Sequence, residues 1–388
     1  MKNRPVRQGD LLFQLARMRS EACAVEKFQA LVQGETGGKD EAAALVRLAV
    51  DNGVAPLLFR QLRKSAAVPR DLLGLLLGAY FANVRWNQDS LSEISRIIEL
   101  LRPAGIDAIP LKGAVGALSL LGDEGLYAGS DIDLLVRRER LEDAVRVLRT
   151  AGYVDSHAAL DVNLQASYHH SLTRGAFHVE VHWNLVRPPF EADPGFWWED
   201  AAPCGNPAGT AWALSAEKYL LYLIYRLYSH GFSPLRFFVL PVEIANGRAG
   251  PVDWRRLLDF ARRCRMERLT RFALAFMKDR LGAAVPEEVA APGRGNRRLH
   301  ERIAEALTGG DPIGQLTRLR LYTLFDTPGQ ALRMVVRKTF PPAAEIRWRY
   351  GVKDGGWKLP VLYLLNPVLV LIEVGKRQQL VDRFIGRD

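Results

Sequence analysis

The chain has 388 residues, 48% of them hydrophobic and 25% charged, a composition that excludes a disordered or fibrous protein and fits a folded globular one. Its three cysteines, Cys23, Cys204 and Cys264, are too far apart in sequence to suggest a disulfide framework or a metal-ligand spacing, and the first twenty residues do not read as a secretion signal, so the expected compartment is the cytoplasm. The formal net charge is +10, and residues 290–388 carry much of it, with 17 Lys/Arg against 9 Asp/Glu. Such a surface meets nucleotides, nucleic acid or an anionic membrane face, or is simply solvated.

Residues 10–102 are expected to be helical, with "AAALVRLAVDNGV" stopped at Gly53 and a long helix or helix pair ending at Pro103–Gly105. "IDAIPLKG" predicts a short strand, Ala108–Leu111, running into Lys112-Gly113, with a helix starting just after the glycine. A Gly-rich turn, a strand at "DIDLLV" and a helix at "RERLEDAVRVLRTAGY" follow. In that helix Leu141, Val145 and Leu148 share one face and Gly152 ends it. "AFHVEVHWNLV" alternates and predicts a strand, Ala176–Leu185. From Ser215 the pattern is helical again, with two helices in the stretch from Asp253 and a loop at "EEVAAPGRGNRR". The apolar run Leu359–Ile372 has 14 residues broken by Asn366 and Pro367. It is shorter than the roughly 20 residues of a membrane span, so a buried helical hairpin is expected, with membrane-surface contact as the second reading. The expected organisation is a helical region (1–102), a sheet-bearing core (103–200), a helical domain (201–290) and a basic helical region (291–388).

Within "LYAGSDIDLLVRRE", Asp131 and Asp133 sit one residue apart in a strand that otherwise reads as buried. Alternate residues of a strand face the same way, so both carboxylates share a face. Two such acids, roughly 6–7 Å apart along the strand, are costly together unless a cation neutralises them. Mg²⁺ or Mn²⁺ does so with oxygen ligands, and paired ions stabilise both the attacking and the leaving oxygen of an in-line displacement. Glu180, between Val179 and Val181, is the candidate third acid, with His178 and His182 on its face. A solvated edge strand is the bland alternative, but the continuous apolar run after Asp133 favours a central strand.

In this order, "IPLKGAVGALSLLG", "GLYAGSDIDLLV" and "FHVEVHWNLV" resemble the uncharacterised nucleotidyltransferases of bacteria, a branch of the DNA polymerase β-like superfamily. The resemblance extends over roughly residues 40–290 through "NGVAPLLFRQL" and "HGFSPLRFFVLPVEIA". It implies an α+β fold: a small mixed β-sheet nucleotidyltransferase core embedded between N-terminal and C-terminal helical regions. It implies Asp131, Asp133 and Glu180 as catalytic metal ligands, Mg²⁺ or Mn²⁺ as cofactor and an NTP as co-substrate. Lys112, Gly113 and Ser130 are implied to meet the nucleotide, and a glycine turn before a helix does expose N–H groups to phosphate. Two positions depart from the pattern: Ala114 stands where the superfamily has a serine, and Tyr127 where relatives often have arginine. The implied reaction moves an NMP group from NTP to a hydroxyl or phosphate acceptor, releasing pyrophosphate. A degenerate module that binds nucleotide or a partner without turnover is the rival reading, and a metal hydrolase using His178, Glu180 and His182 is a third. The acceptor is not legible: a small molecule, sugar, peptide or protein remain open. Nucleic acid has no stacking motif to support it, and the basic C-terminal region leaves peripheral membrane contact open.

Overall fold

The computed structural model describes residues 8–18, 22–34, 38–127, 129–156, 160–206, 209–290, 296–309, 315–350 and 357–369. Its centre is a five-stranded mixed sheet of β1 (Ala108–Leu111), β2 (Ile132–Val136), β3 (Val154–Asp155), β4 (His169–Arg174) and β5 (Phe177–His182), in the order β1-β2-β5-β4-β3. β2 is central: it runs antiparallel to β1 and parallel to β5. β6 (Ala202–Asn206) and β7 (Gly209–Ala213) form a separate ribbon. The protein is thus an α+β molecule, its sheet core set between helical regions, as the sequence predicts.

The two sheet faces have different neighbours. Ile132, Leu134 and Val136 of β2 and Val179 and Val181 of β5 form one apolar cluster with Leu141, Val145 and Leu148 of the Leu141–Thr150 helix. Ile94, Ile97 and Leu101, from the last turns of the Arg70–Leu101 helix, complete it. Each fully buried aliphatic side chain there contributes roughly 1.5–3 kcal/mol. The opposite face carries Leu111 and Leu135 into a second, larger core shared with the helices on both sides of the sheet in sequence. Asn52 ties those helices together: its amide donates to the Leu307 carbonyl at 2.9 Å, and its side-chain oxygen accepts from the Leu235 N–H at 3.1 Å.

The structure departs from expectation in several places, among them the β6–β7 ribbon within the stretch expected to be helical. β4 was not anticipated; it forms a hairpin with β5 across Gly175, whose φ of +57° suits glycine. The expected buried hairpin at Leu359–Ile372 is instead, over its described part, one helix, Lys358–Leu369, that buries Leu362 and Asn366 while Leu364 is 75% and Val368 60% exposed. A helix that is apolar on every side can bury only the side its neighbours reach. Residues from 370 onward lie outside the described set. No helix among the described residues is long and apolar enough to cross a membrane.

Candidate active site

The acids are placed by strand register. Asp133 pairs with Glu180 across the parallel β2–β5 ladder, and Ser171 of β4 lies opposite Glu180 on its other side. Alternation puts Asp133, Glu180, His182 and His169 on the face away from the first apolar cluster. Asp131 precedes β2 by one residue and sits at the mouth, its side chain 31% exposed. Its Oδ2 accepts from the Ser130 hydroxyl at 2.9 Å, and His178 Nδ1 lies 3.9 Å from its Oδ1.

The segment before Asp131 is fixed by the long helix. Asn83 donates to the Gly125 carbonyl at 3.0 Å, and Asn87 to the carbonyls of Glu124 and Tyr127 at 2.6 and 2.8 Å. Beyond it, Gly129 lies against the turn at Gly113: a Cβ on Gly129 would stand 3.2 Å from the Gly113 Cα. Gly113 itself has φ +54°, and Lys112 φ +39°. The Lys112 N–H donates to the Tyr219 hydroxyl at 2.9 Å, tying the turn to the Ala216–Ser229 helix, which Ser215 caps. Gly129→Ala should therefore push Ser130 and Asp131 off the Gly113 turn. We expect turnover to fall about 10–100-fold while the melting temperature changes little, because small misplacements of reacting groups are costly. Unchanged turnover would show that the loop position is immaterial.

Asp133 is fully buried, and its two oxygens are both engaged. Lys112 Nζ lies 2.7 Å from Oδ2, and His182 Nε2 is 3.1 Å from Oδ1 and 3.2 Å from Glu180 Oε2. Asp133 and Glu180 thus converge on one nitrogen. Lys112, implied by the resemblance to meet phosphates, directs its ammonium to the acid instead. Burial opposes the charge on all three groups. For Asp133, Lys112 and the His182 hydrogen bond outweigh it and hold the carboxyl below its usual pKa. His182 does the same for Glu180, and the two acids raise His182. His169, whose Nε2 is 3.7 Å from Glu180 Oε1, is pushed down to about 3, chiefly by burial, so it is neutral at physiological pH.

The signs of these shifts give a stability profile. Lowered carboxylates stabilise the fold above their unfolded pKa of about 4 and lose that contribution as pH falls through the folded values. Raised His182 stabilises below its unfolded value of about 6.5 and loses its contribution as pH rises through the folded one. In chelator, the melting temperature should fall on both sides, and His182→Gln should abolish the alkaline fall. An alkaline fall that persists unchanged in His182→Gln would rule out His182 as its source.

The site also contains groups that the motifs do not reveal. Burial disfavours the Arg226 guanidinium, yet Tyr222, Asp133 and Glu180 hold its pKa above the ordinary value, so this buried cation of the Ala216–Ser229 helix lies within the acids' field. Tyr127 is buried and its hydroxyl is raised to about 12 by that burial. His169, Glu180 and His182 bring one ligand atom each within 4.8 Å of one another. His178, the other histidine of the hydrolase reading, lies instead at the Asp131 end. Only the pairing of His169 with His182 across the β4–β5 hairpin reveals His169's place, and that hairpin's turn glycine was the available signal.

The donor chemistry fits a hard divalent cation: a buried carboxylate, Asp133, converging with the half-buried Glu180, and a third at the mouth, neutralised here by an ammonium and an imidazole. No curated protein and no solved structure matches the chain. Residues 38–282, more than half of the sequence and including the whole sheet, match the family described as uncharacterised nucleotidyltransferase. The chain therefore belongs to that nucleotidyltransferase family.

Proposed function

We propose that the protein is a metal-dependent nucleotidyltransferase that moves an NMP group from an NTP to an acceptor and releases pyrophosphate. The convergence of Asp133 and Glu180 on a single point, with Asp131 beside the Gly113 turn, carries this reading. Mg²⁺ or Mn²⁺, when bound, would neutralise the α-phosphate and the leaving oxygen. Asp131, Asp133 and Glu180 would hold it, and Ser130 orients Asp131. The turn at Lys112 and Gly113 lies beside Asp131 and receives the β- and γ-phosphates, with Arg226 adding positive charge behind the acids. Glu180, on the His169 side, takes the proton of an attacking hydroxyl.

A site that binds nucleotide without turnover would keep the same acids, so the test is chemical. The protein is incubated with α-labelled NTPs, Mg²⁺ or Mn²⁺ and a desalted cell extract. Pyrophosphate release together with label on an acceptor supports transfer. Metal-dependent NTP binding with neither product would leave the binding module as the correct reading.

A further inference from the structure

A cleft of about 480 Å³ lies outside the acid cluster. That volume suits a small ligand. Arg187, Arg318, Arg337 and Lys338 line it, against a single lining carboxylate, Glu345, whose Oε2 lies 3.5 Å from Arg337 Nε. Aromatic rings form much of the rest. Phe190 meets Tyr228 and Phe325 edge-on at 5.2 and 5.5 Å, and Lys338 Nζ stands 5.1 Å from the Tyr322 ring centre.

The cleft has a built outer wall. Thr327 and Gln330 cap the Pro328–Thr339 helix, and the buried Gln330 amide donates to the Pro189 carbonyl at 3.2 Å and the Arg265 carbonyl at 3.0 Å. These bonds hold the helix bearing Arg337 and Lys338 opposite Arg187, on the segment that follows β5. Asn366 secures the far end of that helix at the Lys338 and Thr339 carbonyls, at 2.8 and 2.9 Å.

One ring, Tyr168, separates the cleft's Arg187 from the histidines that meet the acids. The Arg187 guanidinium is 4.5 Å from the Tyr168 ring centre, and Tyr168 contacts the rings of both His169 and His182, at 5.1 and 5.4 Å. Strand register gives this neighbourhood a direction. Asp131, Ser130 and Gly113 lie at the start of β2, whereas His182 and His169 lie at the end of β5, with the Asp133–Glu180 pair between them. An in-line displacement needs the attacking and leaving oxygens on opposite sides of the phosphorus. With the triphosphate at the Gly113 end, the acceptor enters from the cleft end.

We propose that this cleft binds the acceptor, and that the acceptor is a phosphate monoester carrying a ring, its phosphate held by the Arg318, Arg337 and Lys338 side and its ring against the tyrosines. This rests on the transfer reading above. In that transfer the acceptor's hydroxyl oxygen bonds to the α-phosphorus, the bond to the β-phosphate's bridging oxygen breaks, pyrophosphate leaves with the electron pair, and the proton goes to Glu180. Arginine forks and a lysine match phosphate, and an excess of cations over carboxylates selects a dianion over a neutral ring.

The test uses the full chain and phenyl phosphate, phenol and a non-hydrolysable ATP analogue with Mg²⁺, followed by calorimetry. Phenyl phosphate should bind the wild type at least about tenfold more tightly than phenol, and Arg318→Glu/Lys338→Glu should weaken it by about tenfold or more. The same variant should shift ATP-analogue affinity less than about twofold. Arg318 and Lys338 are exposed, so the variant should keep its melting temperature. Phenyl phosphate that binds no better than phenol, or that ignores the charge reversal, overturns the proposal. An analogue affinity that falls as far as that of phenyl phosphate assigns the cleft to the triphosphate and also overturns it. Failure of the transfer reading has a different signature: phenyl phosphate still binds while the ATP analogue does not, and the acceptor role then falls.

Discussion

Asp131→Asn should reduce pyrophosphate release by about three orders of magnitude or more, since a metal ligand contributes several kcal/mol of transition-state stabilisation. The fold should survive. Asp131 is the outermost of the three acids, its side chain 31% exposed, held by Ser130 and near His178 rather than by any element of the core. Losing one carboxylate oxygen there leaves no buried charge unpaired. The assay is label transfer from an NTP, with a melting curve beside it. Turnover within a few-fold of wild type would remove Asp131 from the mechanism. Loss of turnover accompanied by unfolding would contradict the placement of this acid at the mouth.

Lys112→Met should have the largest effect on stability. The Lys112 side chain is 13% exposed, Asp133 is fully buried, and their charged atoms are 2.7 Å apart. Removing one partner of a buried pair strands the other, which costs about 3–5 kcal/mol. Replacing both partners costs less than either half, so Asp133→Asn in the Lys112→Met background should restore much of the loss. Urea unfolding at neutral pH measures all three variants. If a divalent cation takes over the neutralising role of the ammonium, Mn²⁺ should stabilise Lys112→Met more than wild type. Additive losses in the double variant would show that the two groups do not depend on each other. Weakened NTP affinity with unchanged stability would return Lys112 to the phosphate role that the sequence implies.

The short-range signals in the sequence were the reliable ones. β1 ends at Leu111 and is followed by the glycine turn, and the Asp-Ile-Asp strand is central. The Leu141–Thr150 helix buries the face its spacing marks, and Ser215 caps the helix that follows it. These are features of local periodicity and capping. The contents of the site were only partly legible, because three of its groups arrive through tertiary structure. His169 comes by hairpin pairing with β5, and Arg226 and Tyr219 from the Ala216–Ser229 helix, well beyond the acids in sequence, with no motif to mark them. Lys112 was legible as a residue of the site but not in its direction, since the turn conformation at φ +39° decides where the side chain goes. The apolar run after Leu359 failed for the opposite reason. Its composition predicted burial, but burial depends on what surrounds a helix, and the neighbouring helices cover only the side bearing Leu362 and Asn366.

The central claim is that Asp131, Asp133 and Glu180 hold a divalent cation at which an NTP is positioned. Anomalous diffraction from crystals grown with Mn²⁺ and an α,β-non-hydrolysable NTP tests it most directly. The account predicts an Mn²⁺ peak about 2–2.6 Å from carboxylate oxygens of these residues, with the triphosphate leading toward Gly113. A peak held by His169 and His182 without Asp131 or Asp133, or a triphosphate lying in the Arg318–Lys338 cleft, would contradict it.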